Sequence, residues 1–302
     1  MSAVPGPVDL SALDATAAPK KRNRYRAAWR SFSRSRYGML GLSVLIVMIV
    51  LAILAPLLTN YGPFELGDKP FAHPLSPGHP LGTDHLGRDV WSQILYGARI
   101  SLVVGLIAAL IAGVIGVVIG SISGFFGGWI DAVLSRFTDV FLIMPAFFLI
   151  IIVVATLGNS LFYVMIVIGL TTWPGNARLM RAQVLTLRER QYIQSLTALG
   201  ESRWRILVKH IIPNGIQPII ANSTLLIAAA ILTEAGLAFL GLGDPNKASW
   251  GRMINDGRSA ILTAWWPSVF AGVAMLITVL AFYLIGDGIA AAIASGGERN
   301  RE

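Results

Sequence analysis

Three histidines at six-residue intervals, His73, His79 and His85, lie close to Asp84 and Asp89. They are the first group in this 302-residue chain with the side chains to hold a divalent ion. They sit among Pro74, Pro77, Gly78 and Pro80, with no helical or strand spacing to bring them together, so no metal site is expected. The absence of cysteine removes disulfides, thiol nucleophiles and Cys-ligated metals from consideration. No lysine completes a phosphate-binding GxxxxGK(S/T) loop, and HExxH, GxSxG and GxGxxG are absent. Two carboxylates remain, each in apolar sequence. Glu234 follows eighteen uncharged residues, and Asp139 stands near the start of another apolar run. A charge at the centre of a bilayer costs about 2.5–3.5 kcal/mol on insertion scales, so such residues face a bundle interior or an aqueous pathway. Glu234 and Asp139 are therefore candidates for a translocation path. No nucleophile, base or ligand set accompanies them, so catalysis is not expected.

The segments that must position these residues belong to a membrane. Hydrophobic residues make up 55% of the chain and charged residues only 13%, against about 25% charged in an average soluble domain. That composition excludes a soluble enzyme, a disordered chain and a disulfide scaffold. A hydrocarbon core about 30 Å thick needs roughly 20 apolar residues in a helix. Six stretches meet or approach this: Met39–Leu58, Ile100–Phe126, Phe137–Leu157, Leu161–Trp173 (extended by the uncharged Gly169–Gly175), Gly215–Gly243 and Pro267–Gly286. The fold class expected is an all-α integral membrane protein with six transmembrane helices. Met39–Leu58 reads as a retained span, because it starts far from the terminus and ends in Ala55-Pro56-Leu57-Leu58 without a small-x-small cleavage site. Pro145 is expected to kink the third span and Pro174 to end the fourth.

Lys and Arg set the orientation. With the amino terminus inside, eighteen of 24 basic residues are cytoplasmic, as the positive-inside rule favours; both termini are then cytoplasmic. The net charge of +8 marks that face and is no nucleic-acid signature. Residues 1–21 read as a disordered cytoplasmic leader. Residues 22–98 hold a basic amphipathic helix, the first span and an outer loop; residues 99–288 read as the membrane-spanning core, and 289–302 as a cytoplasmic tail. In the helix expected over Arg22–Tyr37, Tyr25, Trp29 and Phe32 share one face amid arginines, suited to anionic membrane lipid.

Two further patterns concern packing and docking. Ala108, Ala112, Gly116, Gly120 and Gly124 recur every fourth residue in the second span, a stripe that lets another helix backbone approach closely. The cytoplasmic stretch from Ala177 to Pro213 places Tyr192, Leu196 and Leu199 on one helical face. Gly200 can supply a left-handed cap, and Trp204, Leu207, Val208 and Ile211 then restart the helical pattern. Two short helices hinged at glycine suit a cytosolic partner or the membrane surface. Six spans, no nucleotide motif and a docking element suggest half of a pathway driven by another polypeptide.

These residues resemble a known family. Tyr192-Ile-Gln-Ser-Leu-Thr-Ala-Leu-Gly200, followed by His210-Ile-Ile-Pro213-Asn214, is similar to the EAA-x3-G-x9-I-x-L-P loop of importer-type ABC permeases. Five other stretches resemble the C-type permease subunit of dipeptide and oligopeptide importers: Leu81-Gly-Thr-Asp-His-Leu-Gly-Arg-Asp89, Tyr96-Gly-Ala-Arg-Ile-Ser-Leu102, Phe239-Leu-Gly-Leu-Gly243, Ser249-Trp-Gly251 and Ile285-Gly-Asp-Gly288. The resemblance covers roughly Arg26 to Gly288. It implies the type I ABC importer transmembrane fold and a multi-pass place in the bacterial inner membrane. It implies, as partners, a homologous second permease in a heterodimer, two ATPase subunits or one tandem ATPase, and an extracytoplasmic peptide-binding protein. ATP and Mg2+ would lie on the ATPase chains, with no cofactor or nucleic acid on this one. Carried onto this sequence, the ATPase-coupling residues are Tyr192, Gln194, Ser195, Leu196, Gly200, Glu201, Arg203, Trp204 and Arg205. Gln194-Ser195-Leu196 stands where the family has Glu-Ala-Ala, and His210 where it has Ile, while the spacing to Gly200 and Pro213 is kept. The alternatives are a nickel importer permease of the same family, an ion-coupled secondary carrier, and a membrane scaffold.

Overall fold

The computed structural model describes residues 29–298 apart from residue 68. The leader expected over 1–21 and Tyr25 lie outside the described residues. Helices account for all regular structure among the described residues, with isolated bridges only, Ser76 with His79 and Thr83 with Asp89. In chain order the helices are α1 (Arg36–Ile53), α2 (Ala55–Leu58), α3 (Val90–Phe126), α4 (Gly128–Ile143), α5 (Ala146–Leu157), α6 (Leu161–Arg188), α7 (Gln191–Ala198), α8 (Arg203–Ile206), α9 (Ile212–Gly215), α10 (Gln217–Phe239), α11 (Trp250–Gly257) and α12 (Trp266–Glu298). A π-helical turn, Leu207–Ile211, joins α8 to α9.

Four helices, α1, α3, α10 and α12, are long and apolar enough to cross a membrane, and a fifth span is added if α4 and α5 are taken as one. The expected third span is broken between Ile143 and Ala146, and α4 and α5 meet at 80°. Pro145 stands at that break, where its ring and missing N–H end the helical ladder. The expected fourth span begins α6, but polar residues from Thr171 onward keep α6 below the apolarity of the others. Pro174 does not end this helix, contrary to expectation. α6 runs through it for 28 residues to Arg188. Pro174 is buried there, and the hydroxyls of Thr171 and Thr172 bond back to carbonyls of the preceding turn. Such packing and side-chain bonding let membrane helices keep a proline.

The helix expected over Arg22–Tyr37 is helical at 29–32 and turns at 33–34 before α1 begins at Arg36, so its expected end is corrected; residues 22–28 lie outside the described residues. The Ser35 hydroxyl accepts from the Gly38 N–H at 3.1 Å and caps α1. Trp29 is exposed and Phe32 buried, and their rings stack with centroids 5.9 Å apart, so these two aromatics share one side as expected. Phe32 enters a groove between α1 and α12 that only Gly38 and Gly288 leave open.

α3 has 37 residues, so at about 1.5 Å per residue it extends roughly 55 Å. Its first turns, Val90 to Arg99, stand beyond the expected span and carry the outer loop. α3 packs along α6 and α10, and α12 packs on α1 and α10. The small residues Ala108, Ala112, Gly116, Gly120 and Gly124 are all buried, and the glycines face α6. A Cβ on Gly116 would stand 2.5 Å from the Cβ of Asn176, so the close approach of α3 and α6 requires glycine there.

Candidate coupling surface and path residues

The stretch after α6 is anchored by one set of apolar side chains and exposes another. Ile193 of α7, Ile206 of α8, and Leu207 and Ile211 of the π turn are buried against Met180 and Val184 of α6 and Ile219 of α10. Tyr192, Leu199, Trp204 and Val208 are exposed, Leu199 by 83%. Fully burying one such side chain is worth about 1.5–3 kcal/mol; the first set fixes this element to the bundle and the second leaves that energy unspent at the surface.

Gly200 makes the hinge. Its φ is +78°, its N–H bonds to the Thr197 carbonyl at 3.1 Å, and the Glu201 N–H bonds to the Leu196 carbonyl at 3.1 Å. This pair of bonds is a Schellman cap. No atom crowds a Cβ at Gly200, so the positive φ alone selects glycine. The chain then restarts at Ser202 into α8. Gln194, Ser195, Arg203 and Arg205 are exposed; Glu201 pairs with Arg205 at 2.8 Å, and the Gln194 amide reaches the Glu189 carbonyl at 3.4 Å. The Trp204 ring lies 5.1 Å from that of Phe126, at the end of α3. Seven of the nine coupling candidates are thus exposed beside one hinge, and the other two, Leu196 and Glu201, are half-buried.

The two path candidates are far apart in environment. Asp139 of α4 is 41% exposed and accepts from the Arg178 guanidinium of α6 at 2.6 Å. Glu234 of α10 is 3% exposed. It is enclosed beneath Ser249 and α11: the Gly251 position closes on Ala235, and Trp250 donates from Nε1 to the Ile94 carbonyl at 3.1 Å. Its Oε2 has no hydrogen-bond partner among the described residues. Glu234 therefore faces the bundle interior in this conformation.

The outer loop is a charged knot. Asp84 accepts from Arg88 Nε at 2.7 Å, from Gln93 Nε2 at 3.0 Å and from two backbone N–H groups, and Arg88 also reaches Asp256 of α11 at 3.2 Å. Asp89 caps α3 through the Ser92 N–H at 2.7 Å, and Arg99 donates to the carbonyls of Ala52 and Ile53 where α1 ends. The three histidines have separate surroundings: His79 bonds Asp89 at 2.9 Å, His73 stacks near Trp266, and His85 is exposed. No cluster of three metal-binding side chains occurs among the described residues.

Two polar groups were not singled out by the sequence. Asp131 of α4 holds Arg181 of α6 in a two-pronged pair, 2.6 Å on each side. Asn222 of α10 donates to Asn176 of α6 at 2.8 Å. Both unite residues about fifty positions apart, which local periodicity does not register. The one local signal was Ser135, four residues after Asp131 and bonded to it at 3.1 Å.

Comparison with known proteins follows this geometry closely. Residues 116–296 match the family described as binding-protein-dependent transport system inner membrane component, and residues 23–77 match the N-terminal transmembrane domain of oligopeptide transport permease C. The dipeptide transport system permease protein of Alkalihalophilus pseudofirmus is 39% identical over 266 residues, 88% of each chain. The oligopeptide transport system permease protein of Bacillus subtilis is 36% identical, covering 94% of this chain and 93% of its own. The probable D,D-dipeptide transport system permease protein of Escherichia coli is 36% identical, covering 93% and 95%.

Proposed function

Because this chain belongs to the inner membrane component family of binding-protein-dependent transport systems, we propose that it forms half of an import path for peptides, driven by ATP hydrolysed on partner subunits. As a member of that family it is a non-catalytic permease subunit of an ABC importer in the inner membrane, and it works with ATPase and binding-protein partners. The finer reading is a heterodimer with a second, homologous permease, each contributing six spans with cytoplasmic termini, served by two ATPase domains that carry the ATP and Mg2+. An extracytoplasmic protein delivers peptide to the outer face.

The observation that carries this reading is the exposed apolar set Tyr192, Leu199, Trp204 and Val208, bordered by Arg203 and Arg205 and mounted on buried Ile193, Ile206, Leu207 and Ile211. A rigid, partly apolar knob on a short hinged helix is what a moving partner needs to grip. Closure of the ATPases pulls this knob and its counterpart together and switches the path between inward- and outward-facing states. Peptide as substrate is supported by the names of relatives that align over most of this chain.

The test is reconstitution of the complete assembly in liposomes with binding protein outside and ATP at the ATPases. ATP-dependent accumulation of a labelled dipeptide is expected. Charge reversal of Arg203 with Arg205 abolishes it while the chain remains in the membrane. Uptake by this chain alone, driven by an ion gradient, contradicts the reading, as does ATP-driven uptake of nickel but not of peptide.

A further inference from the structure

α4 is held to the rest of the molecule by two ion pairs of unlike character. Near its start, just beyond Gly127 and Gly128 with φ of +65° and +56°, the Asp131 carboxylate accepts four hydrogen bonds. Arg181 supplies two, at 2.6 Å each, Ser135 one at 3.1 Å, and Ser123 of α3 the fourth. Bidentate guanidinium–carboxylate pairs with added hydroxyl donors are among the strongest and most directional contacts in proteins. Arg181 is itself seated where α6 meets the glycines of α3, its carbonyl 2.9 Å from a Cβ built on Gly124. Asp131 therefore joins three helices at one point.

Eight residues on, Asp139 makes a single bond to Arg178, and those side chains are 41% and 59% exposed. Exposed single pairs are weak and easily exchanged for water. The other contacts at this end are ring packing of Phe137 and Phe141 on Trp173, which lacks hydrogen-bond direction. α4 buries only Thr138, and it ends at the 80° break into α5. One end is thus held by four directional hydrogen bonds, with Asp131 and Arg181 20% and 37% exposed, and the other by a single hydrogen bond and ring packing.

The end at Asp131 adjoins the coupling element. Phe126, immediately before the Gly127–Gly128 turn, packs against Trp204 at 5.1 Å. We propose that Asp131 and Arg181 are positioning residues for transport, forming the pivot about which α4 swings, and that the Asp139–Arg178 contact is made in this conformation and broken in the alternate one. Movement of Trp204 reaches α4 through Phe126 and the paired glycines; the pivot converts it into displacement of the far end and of α5 behind it. The inference rests on the reading of this chain as an ATP-driven importer subunit.

Because the chain contains no cysteine, paired cysteines can be tethered uniquely within it. In the complete reconstituted assembly, Asp139→Cys with Arg178→Cys is joined by a bifunctional methanethiosulfonate of ion-pair length, as is Asp131→Cys with Arg181→Cys. The two tethers are expected to act with opposite sign. Joining 139 to 178 lowers ATP-driven peptide uptake about tenfold relative to the same variant untethered, within the range of one coupling free energy, and reduction restores it. Joining 131 to 181 raises uptake relative to its untethered form, because the tether replaces the lost joint. Equal signs at both sites, or the reverse signs, overturn the pivot. Asp131→Arg with Arg181→Asp keeps the pair and is expected to recover uptake that Asp131→Asn loses; failure to recover also overturns it. Absence of ATP-driven uptake in the unsubstituted assembly defeats the functional reading, so the two failures are separable.

Discussion

Between residues 59 and 98 the chain closes on itself through charge, with Arg88 buried between Asp84 and Asp256 and Asp89 capping α3. Between residues 191 and 215 it is fixed by aliphatic side chains and spends almost no charge inside, while Leu199, Trp204 and Val208 stay exposed. Both segments keep apolar side chains at the surface, Leu66 and Leu75 in the first and Leu199, Trp204 and Val208 in the second. What differs is the base beneath them: ion pairs hold the first in shape, and aliphatic packing against α6 and α10 holds the second. The second therefore presents its apolar face beside a glycine hinge, on a base without internal charge.

Replacing Arg88 with alanine breaks the first side of that comparison. It leaves the buried Asp84 without its cation, while Asp256 keeps Arg252 at 3.6 Å; removing one partner of a buried ion pair costs about 3–5 kcal/mol. A matching loss of stability is expected in thermal unfolding of the purified protein, with faster proteolysis of residues 59–89. An unchanged melting temperature contradicts the knot. Gly200→Ala probes the other side. Alanine at φ near +78° carries a left-handed penalty of roughly 1–2 kcal/mol, felt in the hinge and not in the core beneath it. Uptake is expected to fall while the melting temperature moves little. Gln194→Glu sharpens the comparison most gently. It restores an acid at an exposed position, where an ion pair is worth under about 1 kcal/mol, so ATPase affinity shifts by no more than about fivefold.

The fold was legible wherever composition acts locally. Apolar runs marked α1, α3, α10 and α12, Pro145 marked the break before α5, and Gly200 marked the cap after α7. Pro174 misled, because its effect depends on its burial and on the neighbouring Thr171 and Thr172, not on the proline alone. The aromatic pattern placed Trp29 beside Phe32, but it did not announce the groove that takes Phe32, which Gly38 and Gly288, distant from each other in sequence, supply. Of the candidate sites, the residues proposed for coupling lie in one short stretch, so their glycine hinge and exposed side chains follow from local pattern. The enclosure of Glu234 by Ser249–Gly251 and the pairing of Asp131 with Arg181 are contacts between segments, set by helix register, and no local pattern announces them.

The central claim is that the exposed apolar face of the coupling element is where the ATPase holds this subunit. It is tested most directly by measuring ATPase retention on purified membrane assemblies carrying Leu199→Asp with Trp204→Asp. The account predicts that retention and peptide uptake both fall at least about tenfold, as loss of a central apolar contact worth about 2 kcal/mol or more requires, while the chain stays folded in the membrane. Normal retention with normal ATP-driven uptake would contradict it.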